Sequence, residues 1–124
     1  MERKTKQRDA ILFVIEGENR PLSYQEIFDK AKELVPNLGI ATVYRAVKDY
    51  IDLGQIEQVT LPGDSPRYER AGKHHHHHFW CRLCNKLFDV EGCTGKLNIQ
   101  PPKGFKSEFH EIFFKGLCPD CLET

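Results

Sequence analysis

Four cysteines and a run of histidines carry the obvious chemistry of this 124-residue chain. Cys81-x-x-Cys84 and Cys118-x-x-Cys121 have the spacing at which a tight backbone knuckle aims two thiolates at one ion. Together they offer four thiolates in a tetrahedron, a closed set suited to structural Zn(II) rather than catalysis. Without a metal, the same pairs would be reducible disulfides or free thiols. The remaining cysteine, Cys93, reads as a spare ligand, an oxidisable thiol or a plain buried thiol. The run His74 to His78 has the composition of a purification tag, but tags sit at termini and this run is internal. A strand sends alternate side chains to opposite faces. His76 and His78 then share one face, and His75 and His77 share the other. Each His-x-His pair is a chelating unit, and buried imidazoles need partners, so the alternation allows two sites. Glu69 and Asp89 are carboxylates nearby in sequence. His110 stands alone in a third strand-like stretch, where the ordinary role of a histidine is a sheet residue with satisfied hydrogen bonds.

These residues need a scaffold. Lys plus Arg and Asp plus Glu are both 18, so the net charge is zero. No global positive field points to nucleic acid and no acidic excess points to disorder. The longest apolar run, Ala10 to Ile15, falls far short of the roughly 20 residues of a membrane span. The N-terminus carries no signal-peptide pattern, so a cytoplasmic location is expected, and with it reduced cysteines. All the cysteines and histidines lie beyond residue 70. The expected division is therefore 1–72 and 73–124, with a hinge at Ala71-Gly72-Lys73. A half this small benefits from a metal staple.

The first half reads as three helices and a hairpin. An amphipathic pattern from about Thr5 carries Ile11, Leu12 and Ile15 to Gly17. Ser23 and Glu26 form a capping-box signature ahead of Ile27, Ala31 and Leu34, and Pro36 ends that helix. Val43, Ala46, Val47, Tyr50 and Ile51 mark the buried stripe of a third helix between Gly39 and Gly54. Gln55 to Leu61 and Arg67 to Arg70 flank a turn at Pro62-Gly63-Asp64-Ser65-Pro66. This is the layout of a winged helix-turn-helix. The outward face of the third helix carries Ala41, Thr42, Tyr44, Arg45 and Lys48, which suits base edges and phosphates of a major groove. Arg3, Lys4, Lys6 and Arg8 could hold backbone phosphates. Read blandly, the face is only a solvated one, and basic and acidic groups nearly balance over residues 1–60. In the second half, His76 to Arg82, Lys86 to Val90 and Glu108 to Lys115 read as short strands, with Asn85 in a knuckle and Gly92 to Gly104 as loop.

Taken in order, these stretches resemble one family, the Fur superfamily of metal-dependent bacterial repressors. The resemblance rests on Thr5-Lys6-Gln7-Arg8, on Gly39-Ile40-Ala41-Thr42-Val43-Tyr44-Arg45, on His74 to Cys84, on Gly104-Phe105 and His110, and on Gly116-Leu117-Cys118-Pro119-Asp120-Cys121. It implies an α+β chain, with an N-terminal winged helix-turn-helix domain followed by a small, zinc-stapled, antiparallel-sheet dimerisation domain. It places Glu69, His76, His78 and Asp89 at a regulatory hinge site, and His75, His77 and His110 at a second site. The sequence also departs from the family. Arg20 and Pro21 stand where the hinge site usually takes a histidine. Glu91 to Lys103 replaces the usual helix and with it the second site's carboxylate. Ala71 stands where the zinc-sensing branch often has cysteine. A short N-terminal helix seen in many members is expected to be missing.

The function this implies is repression by a homodimer on double-stranded operator DNA, with Fe(II), Mn(II) or Zn(II) as the regulatory ion. The ion would act through its differential affinity for one arrangement of the two reading heads. A bias of about 1–3 kcal/mol changes operator affinity roughly 5–150-fold. Imidazole ligands must be neutral, so the response should weaken below about pH 6.5. The alternative is a metal-buffering or metal-delivery protein on the same fold without regulated DNA binding. A metallohydrolase is disfavoured because no nucleophile or acid–base pair is in evidence.

Overall fold

A computed structural model of the chain describes residues 2–92 and 100–123, with side chains from Thr5 onward. Cys93 and much of the Glu91–Lys103 loop lie outside the described residues, as do the side chains of Arg3 and Lys4. The chain divides into two compact units, Met1–Lys73 and His74–Thr124.

The first unit holds α1 (Glu2–Gly17), α2 (Tyr24–Leu34), α3 (Ile40–Asp52), β1 (Ile56–Val59) and β2 (Arg67–Arg70). Ser23 caps α2 with the full reciprocal box: its hydroxyl accepts the Glu26 N–H, and the Glu26 carboxylate accepts the Ser23 N–H. Gly39 precedes α3 in an extended conformation, and Gly54 leaves it at φ 78°, a left-handed turn that favours glycine. β1 and β2 pair antiparallel, Ile56 opposite Arg70 and Val59 opposite Arg67. Leu22 and Tyr68 exchange two backbone hydrogen bonds of 2.8 Å, which ties the entry of α2 to the hairpin. One core joins all these elements: Ile11 and Ile15 of α1, Ile27 and Ala31 of α2, Val43, Ala46 and Val47 of α3, with Ile56 and Tyr68 beneath them. The buried stripe of α1 is Ala10, Ile11, Val14 and Ile15, and Leu12 flanks it. Three helices closed by a hairpin are the expected winged helix-turn-helix.

The second unit holds β3 (His76–Cys81), β4 (Leu87–Glu91), β5 (Phe113–Gly116) and the four-residue α4 (Pro119–Leu122). The strand order is β4-β3-β5. β3 and β4 are antiparallel, with His78 opposite Asp89, whereas β3 and β5 are parallel, with His78 opposite Phe113. The sheet is therefore mixed: the expected antiparallel pairing holds for β3 with β4, and the parallel β3–β5 pair corrects it. A parallel neighbour needs a long connection, and the chain between Glu91 and Phe113 is long enough to bypass the central strand. The third strand is also shorter than Glu108 to Lys115. His110 precedes β5 in exposed, irregular chain and is not a strand residue. Apolar burial is sparse here: among the described residues, Trp80, Cys81, Leu87 and Cys118 form the buried hydrophobic set.

Candidate metal centres and reading helix

The thiolate cluster is assembled by two knuckles. In the first, Asn85 N–H donates to Cys81 O at 2.9 Å and Cys81 N–H to Lys86 O at 3.0 Å. Asn85 adopts φ 63°, which asparagine tolerates. In the second, Cys118 caps α4, Pro119 fills the first helical position, and Cys121 and Leu122 both donate to Cys118 O. Arg82 N–H to Gly116 O, at 2.8 Å, holds the knuckles side by side. The Sγ atoms of Cys81, Cys84, Cys118 and Cys121 all lie within 4.8 Å of one another, and Cys84 Sγ is 3.8 Å from Cys118 Sγ. A tetrahedron with Zn–S bonds of about 2.3 Å has edges of about 3.8 Å, so these sulfurs fit a zinc ion, and all four cysteines are free thiols rather than disulfides. Their electrostatics also favour a cation. Loss of solvent works to raise the Cys81 thiol, but N–H groups of Cys84, Cys118 and Leu83 outweigh it and bring Cys81 down to about 5. Desolvation and the neighbouring thiols push Cys84 up and push Cys121 up to about 12. One sulfur carries charge easily and its neighbours then resist it; a divalent ion removes that conflict.

The imidazoles separate by face as the strand period requires. The His76 and His78 ring centroids lie 4.9 Å apart, and those of His75 and His77 4.6 Å apart. On the first face, Nε2 of His76 and of His78 lie 3.8 Å and 3.7 Å from Asp89 Oδ1. Both rings are turned for ligation. His76 Nδ1 sits 2.7 Å from His74 O, and His78 Nδ1 sits 3.2 Å from Glu111 Oε1. Each Nδ1 thus carries the proton, and each Nε2 keeps its lone pair for an ion beside Asp89. On the second face, His75, His77 and His110 bring one ring nitrogen each within 4.8 Å of the others. His110 belongs to a cluster, then, and is not the isolated sheet histidine its sequence context suggested. Glu111 was not singled out from the sequence; the signal was an acidic residue directly after His110. Glu69 belongs to the first unit. It is buried on β2, with Lys73 Nζ 2.9 Å from its Oε1.

On the first unit, α3 presents Ala41, Tyr44, Arg45 and Lys48 exposed and Thr42 half-buried. Tyr44 is held edge-on against Tyr24 at 4.5 Å, and Tyr24 packs on Tyr68 at 4.6 Å. Arg45 reaches back to Thr42 Oγ1 at 3.4 Å. Arg8 is paired with Asp49 of α3 at 2.7 Å, so part of its guanidinium braces that helix. Arg20 is paired with Glu26. Burial disfavours the Glu26 carboxylate, but Arg20 and the Ser23 N–H hold its pKa below the usual range.

A family model matches residues 2–114: the ferric uptake regulator family. The chain belongs to the ferric uptake regulator family. A ferric uptake regulation protein of Campylobacter jejuni is 29% identical over 122 residues, covering 94% of this chain and 78% of that protein. A zinc uptake regulation protein of Mycobacterium tuberculosis is 31% identical over 122 residues, covering 96% and 94%. The solved ferric uptake regulator of Helicobacter pylori shares the fold at a TM-score of 0.70 and 24% identity, covering 96% of this chain and 81% of that one. These family members are regulators by name rather than enzymes. No described helix is long and apolar enough to cross a membrane.

Proposed function

We propose that this ferric uptake regulator family member is a metal-responsive transcriptional repressor that binds operator DNA as a homodimer. The observation that carries the reading is the pair of unlike donor sets on one small sheet. Four crowded sulfurs make a closed zinc site that builds the unit. His76, His78 and Asp89 make a smaller, mixed imidazole–carboxylate set, to which the family resemblance would add Glu69. Those imidazoles and carboxylates would hold a divalent ion, which would supply the positive charge between them. Glu69 follows Tyr68 directly, and Tyr68, Tyr24 and Tyr44 are in serial contact up to the exposed face of α3. Ala41, Thr42, Tyr44, Arg45 and Lys48 then read the operator, and Arg8 uses its remaining donors on a phosphate. His75, His77 and His110 form a second exchangeable site.

Two features support a dimer. Phe105, Phe109 and Phe114 are 72%, 80% and 47% exposed, large apolar side chains that a second copy would cover. β4 and β5 are the outer strands of the three-stranded sheet among the described residues. The test is selection of an operator from random duplex DNA, followed by mobility shifts with zinc-loaded protein, with and without added Fe(II), Mn(II) or Zn(II). Tighter binding with one of these ions is expected. Equal affinity in every condition would remove the regulatory part of the reading.

The metal-buffering alternative draws on Arg20. Its side chain is occupied with Glu26 at the entry of α2, so no ligand comes from there. That alternative expects metal uptake without selective DNA binding, and Arg45→Ala would then change nothing measurable.

A further inference from the structure

Among the described residues, one carboxylate faces rings of both imidazole clusters. Glu111 Oε1 lies 3.2 Å from His78 Nδ1 and 3.4 Å from His77 Nδ1, although the two rings serve opposite faces of β3. It is brought there by the backbone, because His78 N–H donates to Ile112 O at 3.3 Å and docks the approach to β5 on the central strand.

The chemistry of a ligating histidine explains why this placement matters. A neutral ring that gives Nε2 to a metal carries its proton on Nδ1, and that N–H needs an acceptor. For His78 the acceptor is already Glu111. His77 differs. Its Nδ1 accepts the Ile112 N–H at 3.1 Å, so the proton sits on Nε2, which is buried and makes no hydrogen bond. A metal taken at Nε2 requires that proton to leave Nε2 and a proton to enter at Nδ1, with no net change on the ring. The Ile112 N–H, which must give up its own bond to Nδ1 when that proton arrives, cannot accept it. Glu111 Oε1 can, and it is the acidic oxygen already facing that nitrogen.

We propose that Glu111 is a positioning residue shared by both imidazole clusters, accepting the Nδ1–H of His78 and of His77 when each ring holds a metal through Nε2. This rests on the metal-responsive reading above, since it assumes that both clusters take up ions. It differs from a ligand role, because Glu111 is not one of the residues whose ligand atoms meet in either cluster. It also gives the second cluster a carboxylate from the residue after His110.

The test uses the full zinc-loaded chain and Co(II) as probe, with Glu111→Ala and Glu111→Gln beside the unaltered protein. Loss of an outer carboxylate typically weakens a metal site about 10–100-fold. Glu111→Ala should show that loss at both exchangeable Co(II) sites while retaining its thiolate zinc. Glu111→Gln keeps an acceptor oxygen in the same place and should recover most of the affinity. Long-range proton–nitrogen spectra of the Zn(II)-saturated chain should show Nδ1–H on both His77 and His78, and Glu111→Ala should shift both signals. Unchanged Co(II) affinity at either cluster in Glu111→Ala overturns the proposal, as does a Glu111→Gln variant no better than Glu111→Ala. If the unaltered protein takes up no exchangeable Co(II), the metal-responsive reading itself falls, and this proposal with it.

Discussion

Substituting Cys84→Ser should unfold the second unit and leave the first one standing. Cys84 is exposed as a residue, so serine disturbs little packing and chiefly removes one ligand from the four-sulfur set. Trp80 and Leu87 are the large apolar side chains buried in this unit among the described residues. Each contributes about 1.5–3 kcal/mol by burial, whereas structural zinc contributes about 10–16 kcal/mol in small zinc domains. The ion therefore dominates. The core of the first unit draws on no residue beyond Tyr68. Trp80 is the chain's one tryptophan, held by a hydrogen bond to Asn85 Oδ1 and by Lys115 over its ring. Its fluorescence thus reports on the second unit alone. With a competing chelator present, Cys84→Ser should show red-shifted emission at 25 °C, one zinc fewer per chain, and most of its helical circular dichroism intact. Native emission in zinc-free Cys84→Ser would refute the reasoning, as would loss of the helices in the same transition.

Three further outcomes follow from the geometry. Arg45→Ala should weaken binding to a selected operator by about 1–3 kcal/mol, without changing the melting of the first unit; an unchanged mobility shift would remove α3 as the reader. Lys73→Met should raise affinity for Mn(II), measured by competition with an indicator dye, because the Lys73 ammonium lies 2.9 Å from the Glu69 carboxylate and competes with an incoming cation; lower affinity would mean that Lys73 assists the site instead. Acid should release the structural zinc. Metal holds thiolates and protons compete for them, so affinity falls as pH falls. Cys121, near 12 without metal, and the raised Cys84 recapture protons first, and Cys81, near 5, does so last. Release followed with a colorimetric indicator should increase steadily as pH falls below neutrality; zinc retention independent of pH would contradict the assignment.

What the sequence disclosed and what it hid divides by the range of the interaction. The α2 cap, the buried stripe of α3, the wing turn and both knuckles are encoded within a few residues, and each stands where its pattern put it. The two faces of the histidine strand were also legible, because a period of two is local. The direction of β5 was not. Nothing in Phe113–Gly116 states which neighbour it pairs with, and the phenylalanines that made Glu108 to Lys115 look like a strand are largely solvent-facing: Phe109 is 80% exposed. Because β5 runs parallel to β3, the residues just before it arrive beside the start of the histidine strand. That is how His110 meets His75 and His77, with ring centroids 4.9 Å and 5.2 Å away, and how Glu111 comes between His77 and His78. An antiparallel β5 would have carried both residues to the opposite end of β3, away from either cluster. The long-range pairing that local patterns could not specify is therefore what completes the second cluster, and strand direction here is a functional variable as much as a topological one.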